Sequence, residues 1–372
     1  MTVNDSVPTP DSVFSHVYQC YCERQIIASM LGIAAVTGIF GNSLVLLSVG
    51  LSRKLRTVTN AFVFNLSAAD LLTCLSLPLY IVAILSNDGY LLPHSICVLN
   101  AFVSVICIGA SVNTLACIAI NRLILITKSR AVYQKVYKQR HIALMIAMIW
   151  GFPGCIVLIP IVSPFADFGY EVKYSVCLWV SNPGYALVVA STFYPLQLAI
   201  TIYSYVVVFL HVQRSSRAIA ASANVPSVSA GVSAPVPKNT AWGRKPISTN
   251  PASVHLQSGP GGSSNNSVQN AGGGIQQKIS SRRIEVTKNL FYVVCAFLVC
   301  ISPYILSLMI SNTQEFVPYA AAILTINSCL NPIIYATKHP DFKKTFRAIL
   351  CCKVGDIPEP IAAMRSMNSV GS

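Results

Sequence analysis

An all-α bundle of seven transmembrane helices, followed by an amphipathic helix on the inner membrane surface, is the fold this sequence predicts, and three observations predict it. Of 372 residues, 53% are hydrophobic and only 10% charged, against roughly 25% charged in soluble domains. So few charges cannot cover a globular surface with polar groups. Uncharged runs long enough for a helix to cross the hydrocarbon core, roughly 20 residues, occur at 26–52, 89–121, 142–166, 174–213, 289–314 and 316–337, and a seventh, 57–87, is broken by Asp70 alone. Basic residues also alternate sides. With the N-terminus outside, residues 53–56, 122–141, 214–288 and everything after 337 face inward, and of 26 Lys and Arg only Arg24 and Lys173 then lie outside. The net charge of +14 thus marks the inner leaflet rather than a nucleic-acid surface, with anionic membrane lipid as its neighbour.

The elements follow in order. Residues 1–25 form an extracellular tail carrying the glycosylation pattern Asn4-Asp5-Ser6. Asn265-Asn266-Ser267 also fits the pattern, but on the cytoplasmic side it stays bare. Residues 1–19 have no apolar core of signal-peptide length, so the first helix is expected to direct its own insertion. Residues 26–337 form the bundle, with short loops between the first five helices. The third intracellular loop, about 214–280, is long: residues 218–277 hold three charges among Ser, Gly, Pro, Asn and Ala. Such a segment buries too little apolar surface to offset the entropy of ordering, and is expected to be disordered. Residues 338–372 form the amphipathic helix and cytoplasmic tail. Phe342, Phe346, Ile349 and Leu350 recur at i, i+4, i+7 and i+8, with Lys343, Lys344 and Arg347 between them, the spacing of a helix lying on the membrane. Cys351 and Cys352 follow, juxtamembrane thiols suited to palmitoylation.

The thirteen cysteines sort by compartment. Seven lie within helices as small apolar filler, and two are the cytosolic pair. Cys20, Cys22, Cys97 and Cys177 are left in the oxidising space. A Cys97–Cys177 bridge is expected, which would pin the loop before the fifth helix over the bundle mouth. Cys20 and Cys22 are too close in sequence for a partner to be assigned.

Helix count alone leaves transporters, channels and light sensors open; the embedded polar residues decide among them, since each is costly in lipid. Along the chain come Gly41-Asn42 in helix one and Leu66-Ser67-Ala68-Ala69-Asp70 in helix two. Cys97 is followed 25 residues later by Arg122 at the inner end of helix three. Trp150 lies in helix four, Pro195 with Tyr203 in helix five, Cys300-Ile301-Ser302-Pro303 in helix six, and Asn331-Pro332-Ile333-Ile334-Tyr335 closes helix seven. In their order and one-per-helix placement these motifs resemble the rhodopsin-like (class A) G-protein-coupled receptor family, over about residues 25–352 without the 218–277 insertion.

The resemblance implies a plasma-membrane receptor that passes an extracellular ligand signal to a heterotrimeric G protein as helices five and six move, with arrestin as a further partner. Asn121, Arg122, Tyr203, Phe297, Pro303, Asn331, Pro332 and Tyr335 match the coupling and switch positions. Pro195, Pro303 and Pro332 each remove a backbone hydrogen bond, creating hinges. Asp70 cannot stay ionised near the bilayer midplane without a cation, a proton or several donors. With Ser111, Asn327, Ser328 and Asn331 it matches the family's hydrated sodium pocket; the alternative is a protonated Asp70 in a hydrogen-bond network without an ion.

The sequence departs from the family in three places. Before Arg122 the expected acid is Asn121, as also seen in melatonin-receptor-like and related invertebrate orphan receptors. The inner end of helix six carries Arg283 where many members place a Glu, and Glu285 lies about 200° round the helix. Arg122 therefore lacks both usual ionic restraints, which predicts raised basal signalling. Helix six has Ile301 where the family usually has a Trp.

For the ligand, the helix-three position that holds an ammonium-pairing Asp in amine receptors, eighteen residues before Arg122, is Ser104. The same register places Val105, Ile108, Leu187, Val188, Ser191, Ile301, Tyr304, Leu308, Ala321 and Thr325 around the pocket. This lining is apolar with a few hydroxyls and suits a neutral or lipid-like small molecule. The main alternative is a peptide reaching acidic outer loops bearing Asp88, Asp167, Glu171 and Glu315. A retinal-binding light sensor is excluded, because a Schiff base needs a Lys and Thr325 occupies the expected place. A transporter would show repeat halves and broken midplane helices, which the sequence does not. With no metal-ligand cluster, nucleophile–base pair or phosphate-binding loop, neither an enzymatic role nor a cofactor is expected, beyond the sodium ion.

Overall fold

A computed structural model describes residues 17–87, 89–162, 167–180, 183–193, 195–223, 291–307, 310 and 314–361. Asn4, Asp88, Arg283, Glu285, Leu308 and the body of the long insertion lie outside the described residues, as does the side chain of Leu187. One compact unit comprises residues 1–211 and 284–372, and residues 212–283 form a second.

Six helices are long and apolar enough to cross a membrane: α1 (Tyr21–Leu51), α2 (Val58–Leu85), α3 (His94–Thr127), α5 (Gln139–Val162), α7 (Pro195–Ala223) and α9 (Val317–Lys338). The apolar helix α8 (Phe291–Ser307) supplies the seventh, and α6 (Pro183–Phe193) precedes α7 within the fifth expected span. A short helix, α4 (Arg130–Val136), follows α3, and α10 (Pro340–Leu350) follows α9. A two-stranded antiparallel hairpin, β1 (Asp167–Glu171) and β2 (Val176–Val180), pairs Phe168 with Trp179 and Tyr170 with Cys177. The hairpin is an addition to the all-helical expectation.

The outward faces are apolar: Ile33, Val36, Phe40 and Leu47 of α1 are all more than half exposed. A helix in water would turn such residues inward; lipid reverses the cost. Polar groups are instead packed inside. Trp150 Nε1 donates to Asn65 Oδ1 (2.8 Å), and Asn65 Nδ2 donates to Thr114 Oγ1 (2.8 Å), tying α5, α2 and α3 together. On α7 the buried Gln197, Thr201, Ser204, Tyr205 and Val208 form one helical stripe, while Leu196, Ile202, Tyr203, Val206 and Phe209 face outward.

The contact between α1 and α9 accounts for the Gly41-Asn42 and Asn331-Pro332 motifs together. Pro332 has no N–H, so the Ser328 carbonyl one turn earlier loses its helical donor. Asn42 Nδ2 donates to that carbonyl at 2.9 Å. The approach requires a glycine, because a Cβ on Gly41 would lie 2.7 Å from Pro332 Cβ.

Two boundaries differ from the sequence expectation, and one open pairing closes. α1 starts at Tyr21 rather than 26, because Arg24 does not stay in the tail. It is buried, donating to the carbonyls of Ile84 (2.5 Å) and Ser86 at the end of α2, to Asn87 Oδ1 (3.1 Å) and to Ser175 Oγ (3.3 Å). Unpaired helix C-terminal carbonyls are a favourable site for a cation. α7 continues to Ala223, past the expected end near 214. Cys20 and Cys22, left unassigned above, are bonded to each other.

Candidate ligand pocket and coupling face

Cys97, at the start of α3, is joined to Cys177 of β2, which brings the hairpin over one end of the bundle. Beneath it lies a cavity of about 150 Å³ lined by Val176, Leu178 and Trp179 of the hairpin and by residues of α1, α2, α3, α6, α8 and α9. Ser104, Val105, Ile108, Ile301, Tyr304, Ala321 and Thr325 line it as the sequence register requires. Ile301, at the usual Trp position, is 4% exposed within this lining.

Two expected lining residues are misplaced. Ser191 is exposed, its hydroxyl turned back to the Val188 carbonyl (3.2 Å), and the half-buried Val188 does not reach the cavity. Val189, one position on and 100° round the helix, takes that place. The register also missed the wall contributed by Ile27 and Leu31 of α1 and by Thr73, Leu77, Tyr80 and Ile84 of α2. The α2 set recurs at i, i+4, i+7 and i+11, one helical face bearing two hydroxyls, which is the signal that could have found it.

The cavity has no charged residue among its described lining. Its hydroxyls are turned to nearby groups: Ser104 donates to the Asn100 carbonyl (2.7 Å), Thr325 to the Ala321 carbonyl (2.8 Å) and Tyr18 to the Tyr174 carbonyl (2.9 Å). The last bond, with Val17 N–H donating to the Lys173 carbonyl (3.1 Å), lays residues 17 and 18 against the hairpin.

Deeper in the bundle, Asp70 is completely buried. It accepts from Asn331 Nδ2 (2.7 Å) and Ser111 Oγ (3.3 Å), with the buried Ser328 close by. Asn327, the fourth expected member, is buried, and its Oδ1, Asn331 Oδ1 and the Ser67 hydroxyl have no hydrogen-bond partner among the described residues. One carboxylate with several neutral oxygens suits a hard monovalent cation, and no group of three or more His, Cys, Asp or Glu able to hold a metal occurs among the described residues.

At the opposite end from the disulfide, Arg122 is buried and its Nε has no hydrogen-bond partner among the described residues. Asn121 points away from it: its Oδ1 accepts from Thr59 Oγ1 (2.7 Å) and its Nδ2 donates to the Tyr133 hydroxyl (3.2 Å). Tyr203, expected to meet Tyr335, is 65% exposed on the outer face. Tyr205, two residues on and 200° round the helix, is buried there instead, close enough to Arg122 and Tyr335 to act on both electrostatically. The hydroxyls of Tyr205 and Tyr335 are buried without hydrogen-bond partners among the described residues. Phe297 and Pro332 are buried, and Pro303 lies within the continuous helix α8, between the cavity residues Ile301 and Tyr304. Cys351 and Cys352 are exposed after α10.

The chain as a whole is similar to known proteins. The family described as 7 transmembrane receptor (rhodopsin family) matches residues 41–335. An alpha-1A adrenergic receptor of Oryzias latipes is 28% identical over 339 residues, covering 87% of this chain and 66% of its own. The G-protein coupled receptor moody of Drosophila pseudoobscura pseudoobscura is 25% identical, with 92% and 54% covered. Octopamine receptor beta-1R of Drosophila melanogaster is 25% identical, with 86% and 60% covered. The chain thus spans between about half and two thirds of the length of these relatives. In fold it is similar to squid rhodopsin, with a TM-score of 0.68 at 18% identity over 95% of this chain and 87% of that one. A family match across every expected span but the start of the first, on a bundle of this fold, leads to one conclusion: the chain belongs to the rhodopsin family of seven-transmembrane receptors.

Proposed function

We propose that this chain is a G-protein-coupled receptor for a neutral, largely apolar small molecule. The observation that carries the ligand class is the uncharged cavity, with Ser104 where an amine receptor would place its acid. An ammonium ion moved there would lose its hydration with no carboxylate in return. The adrenergic and octopamine receptors among the relatives are named for amines; this lining argues against carrying that ligand class over. Shape and hydroxyls would select the ligand, and the hairpin with Tyr18 would cover it.

The chain sits in the plasma membrane with residues 1–25 and the hairpin outside, Asn4 glycosylated, and Cys351 and Cys352 palmitoylated beside a lipid-bound α10. Ligand binding acts only through its differential affinity for two states. In the active state α7 and α8 part from α3 and α9, opening a cleft at Arg122 to a heterotrimeric G protein and later to arrestin. Tyr205 and Tyr335, buried with idle hydroxyls, then gain partners. Asp70, Ser111, Asn327, Ser328 and Asn331 hold sodium in the inactive state.

The test is a signalling screen of neutral lipids and indoles against cationic amines and basic peptides, on the wild type and on Ser104→Phe, Ile108→Phe and Ser191→Phe. Activation by the neutral class, lost in the first two variants and kept in the third, is expected. Potent activation by a monoamine, or by a peptide indifferent to both cavity-filling variants, contradicts the proposal.

A further inference from the structure

The segment after the paired thiols folds back onto the bundle. From Cys352 the chain passes through a short turn (Val354–Asp356), buries Ile357 at 3% exposure, and runs antiparallel to the α1–α2 connection with Ser52 opposite Pro360. The Arg53 N–H donates to the Glu359 carbonyl (2.8 Å), the Ile361 N–H to the Leu51 carbonyl (3.2 Å), and the Ser52 hydroxyl to the Pro358 carbonyl. Leu51 ends α1, so its carbonyl is one the helix itself leaves unpaired; the tail caps it. Prolines suit this segment, because positions 358 and 360 are not called on for an N–H, as on an edge strand.

A second tie leaves the same connection. Lys54 Nζ lies 3.0 Å from Asp341 Oδ1 in the first turn of α10. The next residue, Phe342, is fully buried and stacks on Tyr335, with ring centroids 5.4 Å apart and planes at 25°. One connection therefore grips α10 from both ends, and α10 grips Tyr335. The grip is strained at one point: Glu359 has φ 49°, a left-handed conformation that a non-glycine residue keeps only while its neighbours impose it.

We propose that Ile357–Ile361 is an autoinhibitory strap. By fixing α10 against the α1–α2 connection it keeps Phe342 on Tyr335 and restrains the inner end of α9. The inference rests on the coupling reading above. Release of the strap frees the Leu51 carbonyl and Arg53 N–H together, so it opens as a unit.

The test uses the full chain in lipid nanodiscs with Ile357→Ser, which empties the buried anchor, and Ile361→Pro, which removes one donor. Truncation after Asp356 is the third variant. Hydrogen exchange at Arg53 and across α10 is expected to speed up in all three. Ligand-free nucleotide exchange on the G protein is expected to rise about fivefold, the shift that the net contribution of one hydrogen bond gives. Unchanged exchange in α10 overturns the restraint. Faster α10 exchange with unchanged ligand-free signalling overturns autoinhibition. A wild type that activates no G protein fails the coupling reading instead, and hydrogen exchange then decides the restraint by itself.

Discussion

Arg122 and Asn121 concentrate what is unusual at the residue scale. An arginine buried in a bundle normally keeps a carboxylate beside it, and here the adjacent side chain spends both its hydrogen bonds on Thr59 and Tyr133. Asn121→Asp preserves both contacts, since Thr59 still donates and the Tyr133 hydroxyl can donate in its turn, and it places a negative charge beside Arg122. Desolvation offsets much of the attraction in a buried pair; for a net gain of ~1 kcal/mol, ligand-free signalling should fall about fivefold, as read by nucleotide exchange at matched surface expression. An unchanged or higher rate would show that the asparagine already restrains the arginine fully. Arg122 itself was legible in the sequence from its spacing to Cys97. The tyrosine buried on this side of α7 was not, because family spacing from Pro195 pointed to Tyr203. The polar residues Gln197, Thr201 and Ser204 mark the inward stripe of that span, and the stripe carries on to Tyr205.

At the scale of elements, the seven spans were legible because lipid demands long uncharged runs, and that demand is independent of packing. The hairpin was not, since the loop before the fifth helix is short and, among the described residues, its strands pair only with each other. Its hold on the bundle is covalent. Closing a loop of sequence separation 80 restricts the unfolded chain by about 4–5 kcal/mol in the chain-entropy account. Cys97→Ser or Cys177→Ser should therefore sharply reduce surface delivery and ligand response, and two single variants that reach the surface and signal normally would refute the role given to the bridge. The α1–α9 contact supplies a second test. In Gly41→Ala the new methyl meets the Pro332 ring, which cannot swing aside, so the helices must separate at a cost of about 1–3 kcal/mol. A thermal-unfolding midpoint equal to wild type would show that the contact is looser than described. The α2 wall of the cavity escaped the sequence reading for a related reason: a family register names faces by analogy, whereas the packing of α2 against α1 and α3 decides which residues border open space.

At the scale of the whole molecule, Asp70 lies along α2 between the cavity residue Thr73 and Thr59, the partner of Asn121, and its own partners come from α3 and α9. If sodium fills this centre, exchanging choline chloride for sodium chloride should raise the melting temperature of the purified receptor. At ten times Kd the stabilisation is about 1.4 kcal/mol, and Asp70→Asn should abolish it. An identical response in the variant would place the ion elsewhere. The most direct test of the receptor reading needs no ligand. The purified chain in nanodiscs is presented with a panel of heterotrimeric G proteins, and GTPγS uptake is measured for wild type and Arg122→Ala at equal amounts. Ligand-free acceleration of at least one heterotrimer, lost in Arg122→Ala, is the result expected from a buried arginine without an ionic restraint. Acceleration of none, or acceleration that survives the loss of Arg122, would contradict it.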